Sequence, residues 1–144
     1  MDSEYKQIIV ALDGSEAANI AFQKAVEIAK RNDSRLILTH IIDSRSFATA
    51  EAYDRTLSDR AEEDAKKLLK EFTEKAKSSG AGNVTQCIDY GSPKVKIAKD
   101  VAADFKADLI ICGATGLNAV ERFLIGSVSE SITRYANCDV LVVR

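Results

Sequence analysis

The sequence predicts a parallel α/β fold, and three observations carry that reading. Apolar runs such as Ile8-Ile9-Val10-Ala11-Leu12 and Leu109-Ile110-Ile111-Cys112 are unbroken by polar residues, as strands covered on both faces should be. Between the runs lie segments with apolar residues at helical spacing. Strands and helices alternate along the whole chain as βαβαβαβαβ, without linker or low-complexity segment, and such alternation makes a parallel sheet with right-handed crossovers.

The first strand is Gln7 to Leu12, ending at Asp13-Gly14-Ser15. Ser15 is placed to cap the helix that follows. Ala18, Ala21, Phe22, Ala25 and Ala29 give that helix an apolar stripe, whose small residues imply a close approach to the sheet. Asn32-Asp33-Ser34 is a turn, and Leu36 to Ile42 is the second strand. Residues 43–54 are polar and small and read as a loop able to cover a ligand. The longest helix is expected from about Tyr53 to Ser79, with Tyr53, Leu57, Ala61, Ala65, Leu68, Leu69, Phe72 and Ala76 on its inner face. Glu62 with Lys66, Glu63 with Lys67 and Glu71 with Lys75 are i,i+4 pairs on a solvated face. Gly80-Ala81-Gly82 ends the helix.

Val84 to Ile88 is the third strand; its weak alternation marks an edge. Ser92-Pro93 opens a helix, serine as cap and proline in the first turn, with Ile97, Ala98, Val101, Ala102 and Phe105 facing inward. Leu109 to Cys112 is the fourth strand. A helix from Ser127 to about Ala136 presents Val128, Ile132, Tyr135 and Ala136 on one face, and Asp139 to Val143 is the fifth strand.

The 144 residues are about one domain's worth. A net charge of −2 with nearly balanced acids and bases argues against a nucleic-acid or polybasic membrane surface. No apolar run reaches the length of a membrane span, and residues 1–6 contain no signal-peptide apolar core, so a cytoplasmic location is expected. The three cysteines, Cys87, Cys112 and Cys138, form no Cys-x-x-Cys and lie in or beside apolar runs, as small buried hydrophobes do. A Walker A motif is missing, since Ser127 follows Gly126 and Ile125 with no lysine. The Gly-x-Gly-x-x-Gly of dinucleotide folds, the Gly-x-Ser-x-Gly elbow and metal-spaced His/Cys sets are missing too. A phospho-receiver domain needs an acidic cluster at the first strand; Asp13 stands alone there, followed by Gly14-Ser15.

The chemistry concentrates between Gly113 and Val128. Gly113, Gly116 and Gly126 lie between a buried strand and the start of a helix. Glycines permit positive φ and close approach of a ligand, and a helix start offers unpaired N–H groups to an anion. Ser127 with Glu130 reads as a capping box. Spacing alone leaves two readings open: a phosphate cradle, or a strand-to-helix loop with ordinary turn glycines. Arg122 is likewise either a phosphate partner or a solvated loop residue. Asp13 either contacts a ligand or makes a turn with Gly14 and Ser15. His40, the single histidine, has no role assigned.

Gly-x-x-Gly, nine residues, then Gly-Ser (Gly113, Gly116, Gly126, Ser127) resembles the nucleotide motif of the universal stress protein family. Residues 8–16 resemble that family's first strand and turn, 36–41 its second strand and 138–143 its closing strand, so the resemblance covers the chain. It implies one universal stress protein domain over 1–144, an open five-stranded parallel sheet of order 3-2-1-4-5 with helices on both faces, and ATP binding. In that order the ends of strands one and four adjoin at a switch point, where ligands bind. The contacts expected with it fall on Ala11, Leu12, Asp13, Gly14, Ser15, Ile41, Gly113, Ala114, Thr115, Gly116, Gly126, Ser127 and Val128, with Arg122 a further candidate from its charge alone. Backbone at Ile41 would meet the adenine edge, and Asp13 would meet ribose or a Mg2+ bridging phosphates. It also implies a homodimer through the closing strand 139–143. Two departures from common family patterns stand out: Thr115 where histidine is frequent, and Asp139 where proline is. The expected function is an ATP-binding stress-response or signalling module, with a slow ATPase or partner-dependent phosphotransferase, or a nucleotide-free dimeric adaptor, as alternatives.

Overall fold

The computed structural model describes residues 4–43, 55–116 and 125–144. The expected helix start at Tyr53, most of the 43–54 loop and Arg122 lie outside the described residues. Strand β1 (Gln7–Ala11) leads to α1 (Glu16–Asn32), β2 (Arg35–Asp43), α2 (Arg55–Ser78) and β3 (Val84–Gly91). Helix α3 follows as Pro93–Val95, a π-helical stretch Lys96–Val101 and Ala102–Asp104 running into one another; then come β4 (Leu109–Gly113), α4 (Ser127–Tyr135) and β5 (Asp139–Val143). The sheet is parallel throughout, in the order β3-β2-β1-β4-β5 that the resemblance implied.

The unbroken apolar runs are explained by two-sided cover. Ile8, Val10, Leu36, Leu38, Leu109 and Ile111 pack under α1 and α2. Their strand neighbours Ile9, Ile37 and Ile110 pack under α3 and α4 with Ile97, Val101 and Ile132. Each fully buried isoleucine or leucine contributes about 1.5–3 kcal/mol, so the central strands β1, β2 and β4 hold both layers together. The edge strands β3 and β5 are only half-buried.

Ser15 caps α1 as expected, its Oγ accepting the Ala18 N–H at 3.1 Å, and every residue of the small-residue stripe is buried. Phe22 of α1 meets Phe72 of α2 edge to face, ring centroids 4.7 Å apart. On α2, Ala65, Leu69, Phe72 and Ala76 are buried. Leu57 is 44% exposed rather than inward. The Glu62–Lys66 and Glu71–Lys75 pairs form at 3.9 and 3.2 Å. Beside Asp139, the Tyr5 hydroxyl donates to Oδ2 at 2.7 Å, so the residue in place of the frequent proline ties the N-terminal segment to β5. This bond, with burial and the nearby carboxylates, raises the Tyr5 pKa.

Several local expectations are corrected. Ser127 is not the N-cap of α4: Gly126 is, in extended conformation with φ −65° and ψ 158°. The capping box does not form; Glu130 instead accepts from Arg134 at 2.9 Å. Ser92 occupies a cap position without a side-chain bond. Tyr135 is 45% exposed rather than inward, with the Lys99 ammonium 5.0 Å from its ring centroid. Among the described residues no helix is long and apolar enough to cross a membrane.

Candidate functional site

At the carboxyl ends of β1, β2 and β4 the sheet opens into a cleft of about 750 Å3. It lies where the connection after β1 runs to one side of the sheet and that after β4 to the other, the position such sheets reserve for ligands.

One wall is the turn after β1. Leu12 is buried and its N–H donates to Thr39 O at 2.9 Å. Asp13 follows, exposed, its Oδ1 accepting the Ser15 N–H at 2.9 Å. Gly14 stands at φ +85°, a conformation that L side chains rarely adopt. Asp13 Oδ2 points across the cleft: a Cβ added at Gly116 would lie 3.2 Å from it. The β1 turn and the glycine loop therefore nearly touch.

The other wall is built around Ala114. Its N–H donates to Val143 O at 2.8 Å, and its carbonyl accepts the Gly126 N–H at 2.6 Å. Ser129 Oγ donates to the Gly113 carbonyl. These bonds join the end of β4, the end of β5 and the first turn of α4. The first intrahelical bond of α4 runs from Glu130 N–H to Gly126 O at 3.0 Å. By the geometry of a helix start, the N–H groups of Ser127, Val128 and Ser129 have no partner within the helix, and Gly126 lacks a side chain to take them. All three residues line the cleft.

Of the sequence-predicted residues, Ala11, Leu12, Asp13, Ile41, Gly113, Thr115, Gly116, Gly126, Ser127 and Val128 line this one cleft. Gly14, Ser15 and Ala114 stand behind it as the turn, the α1 cap and the loop anchor; Arg122 lies outside the described residues. The motif glycines do not serve positive φ, which among described glycines occurs at Gly14, Gly80 and Gly91. Gly113 is needed for packing: a Cβ there would fall 2.7 Å from the backbone carbon and Cβ of Ala17 in α1.

Sequence reasoning missed Thr39, His40, Asp43, Pro93, Ile97 and Cys112 in the lining. Ile97 is both buried and at the cleft wall, and helical spacing cannot tell a core residue from one at the edge of a cleft. The Cys112 thiol is pushed up to about 11 by burial, partly offset by its hydrogen bond with Ser129. Burial also raises Cys87 and Cys138, so the thiols remain protonated at neutral pH. Among the described residues no lysine or arginine lines the cleft, and no group of three or more His, Cys, Asp or Glu is placed to hold a metal.

A donor set of N–H groups without helix partners, sharing one cleft with Asp13, Asp43, Ile41 and Ile97, fits a ligand with an anionic end and an apolar, ring-like end. A family model described as universal stress protein family matches residues 4–144. A protein of Staphylococcus saprophyticus that bears the universal stress protein name is 50% identical over 140 residues, covering 97% of this chain and 84% of that protein. The structure of universal stress protein UspA from Lactobacillus plantarum is 30% identical with a TM-score of 0.82, over 99% of this chain and 100% of that one. A universal stress protein solved in complex with cAMP is 26% identical with a TM-score of 0.75, over 99% and 98% of the two chains.

Proposed function

Since this chain belongs to the universal stress protein family, we propose that it binds an adenine nucleotide, ATP first among them, and works as a nucleotide-responsive stress or signalling module. The observation that carries this is the start of α4, where three N–H groups without helix partners open into the same cleft as Asp13 and Ile41. Phosphate suits those groups and the positive end of the helix dipole. The base suits the apolar side between Ile41 and Ile97. Asp13 suits a ribose hydroxyl, or a Mg2+ ion that would offset phosphate charge where no described cationic side chain does. The relative solved with cAMP supports the adenine-nucleotide class. Acid extraction of purified protein followed by mass spectrometry is expected to release an adenine nucleotide, and calorimetric titration should rank ATP above GTP. Absence of uptake for every adenine nucleotide would sink the reading.

Turnover of ATP is expected to be very slow or absent. The described lining offers binding groups, but no lysine or arginine to stabilise charge developing on a transferred phosphoryl group. Prompt multiple-turnover phosphate release, lost on Asp13→Ala, would instead support the slow-ATPase alternative.

We also propose that the protein pairs with a second copy through β5. Val140 to Val143 form a half-buried apolar edge strand, and an unpaired edge is a template for another strand. Light scattering at micromolar concentration should give twice the mass of the chain; a monomer mass would remove this assembly.

A further inference from the structure

The single histidine, to which sequence reasoning assigns no role, sits where β2 grips the turn carrying Asp13. The ladder between β1 and β2 ends with Ala11 opposite Thr39. One residue on, Leu12 N–H still donates to Thr39 O at 2.9 Å, and the Leu12 carbonyl lies 2.7 Å from His40 Nδ1. A carbonyl only accepts, so Nδ1 carries the proton and donates. Both backbone groups of Leu12 are thus fixed by β2, one by the main chain and one by the imidazole. The next residue is Asp13, with Oδ1 held by the Ser15 N–H at 2.9 Å and Oδ2 facing Gly116. The Ser15 bond is internal to the turn; it shapes the turn but does not place it relative to the sheet. The two Leu12 bonds do.

We propose that His40 is a positioning residue for the nucleotide site: its Nδ1–H bond to Leu12 O sets the distance between the Asp13 carboxylate and the glycine loop. This deepens the nucleotide reading and rests on it. His40 lines the cleft, yet its action on affinity runs through Asp13.

Asparagine provides the conservative test, because its Nδ2 occupies nearly the position of the histidine Nδ1 relative to Cγ and can donate the same bond. ATP with Mg2+ is titrated into wild type, His40→Ala, His40→Asn, Asp13→Ala and the His40→Ala/Asp13→Ala double variant. Amide hydrogen exchange at Ser15 is followed in the nucleotide-free proteins. His40→Ala should weaken binding about three- to tenfold, the effect of one neutral hydrogen bond, and His40→Asn should recover most of it. On an Asp13→Ala background His40→Ala should cost less than about twofold, since coupled sites are not additive. The Ser15 amide should exchange several times faster in His40→Ala and return toward wild type in His40→Asn. The proposal is overturned if His40→Ala binds like wild type, if His40→Asn is as weak as His40→Ala, if the Asp13 and His40 losses multiply, or if Ser15 exchange is unchanged. Should wild type take up no ATP, the nucleotide reading falls by itself, and Ser15 exchange alone decides whether His40 holds the turn.

Discussion

Gly126→Asp is expected to abolish nucleotide binding in a protein that remains folded. Gly126 is the N-cap of α4, extended at φ −65° and ψ 158°, where aspartate is among the favoured residues. A Cβ there would meet Ala114 O and Thr115 Cα at 3.4 Å, ordinary contact distances. The fold therefore accepts the side chain, and stability should hold or rise by a few tenths of a kcal/mol. The new carboxylate would take the N–H groups at the start of α4 that the phosphate is proposed to use. It would also repel the phosphate: two like charges about 4 Å apart cost roughly 1 kcal/mol at the dielectric of water and about 4 kcal/mol at an effective dielectric of 20. Competition and repulsion together predict a loss on the order of 100-fold or more. Gly126→Ala adds volume without charge and should be far milder. Ser127→Ala should leave stability within about 0.5 kcal/mol, because Ser127 does not cap the helix. Calorimetric titration with circular dichroism checks all three. A folded Gly126→Asp protein that binds ATP as tightly as wild type would show that the phosphate lies elsewhere.

The sequence made the strands and most helical faces legible because their signals are local. An uninterrupted Ile8–Leu12 run needs cover on both faces, and the alanine stripe of α1 needs a nearby sheet; neither depends on distant residues. The start of α4 shows where local reasoning fails. Ser127 with Glu130 matches the capping box, yet the bond from Gly126 N–H to Ala114 O sets the chain direction one residue earlier. Glu130 then turns to Arg134. The π-helical stretch at Lys96–Val101 has no marker in its composition. The candidate site was legible in its parts carried by turn chemistry, Asp13-Gly14-Ser15 and the glycines. His40 and Ile97 were not, because a side-chain bond across strands and a cleft wall shared with the core are tertiary facts. For Gly113, which the motif singles out, the motif does not disclose the packing that requires glycine there.

That reason leads to the second large effect. Gly113→Ala is expected to destabilise the protein and to weaken binding only as a consequence. Gly113 ends the fully buried strand β4, directly beneath α1. A methyl group there would lie 2.7 Å from the Ala17 carbonyl carbon and 2.8 Å from its oxygen. Two of the opposing atoms are helix backbone, so no rotamer change relieves the clash; α1 must move away from the sheet. Overpacking of this kind costs about 1–3 kcal/mol, which for a chain of this length lowers Tm by roughly 3–10 °C. Ala17→Gly added to Gly113→Ala removes the Ala17 Cβ but leaves the carbonyl, so rescue should be partial. Because α1 starts at the Ser15 cap, its displacement would carry the Asp13 turn with it, and affinity should fall in step with stability. Gly126→Asp is the opposite case, with affinity lost and Tm kept. Thermal unfolding and ATP titration on both variants separate the two glycines. If Gly113→Ala melted within about 1 °C of wild type and still failed to bind, Gly113 would serve the ligand directly, and the close approach of α1 would not be what requires glycine there.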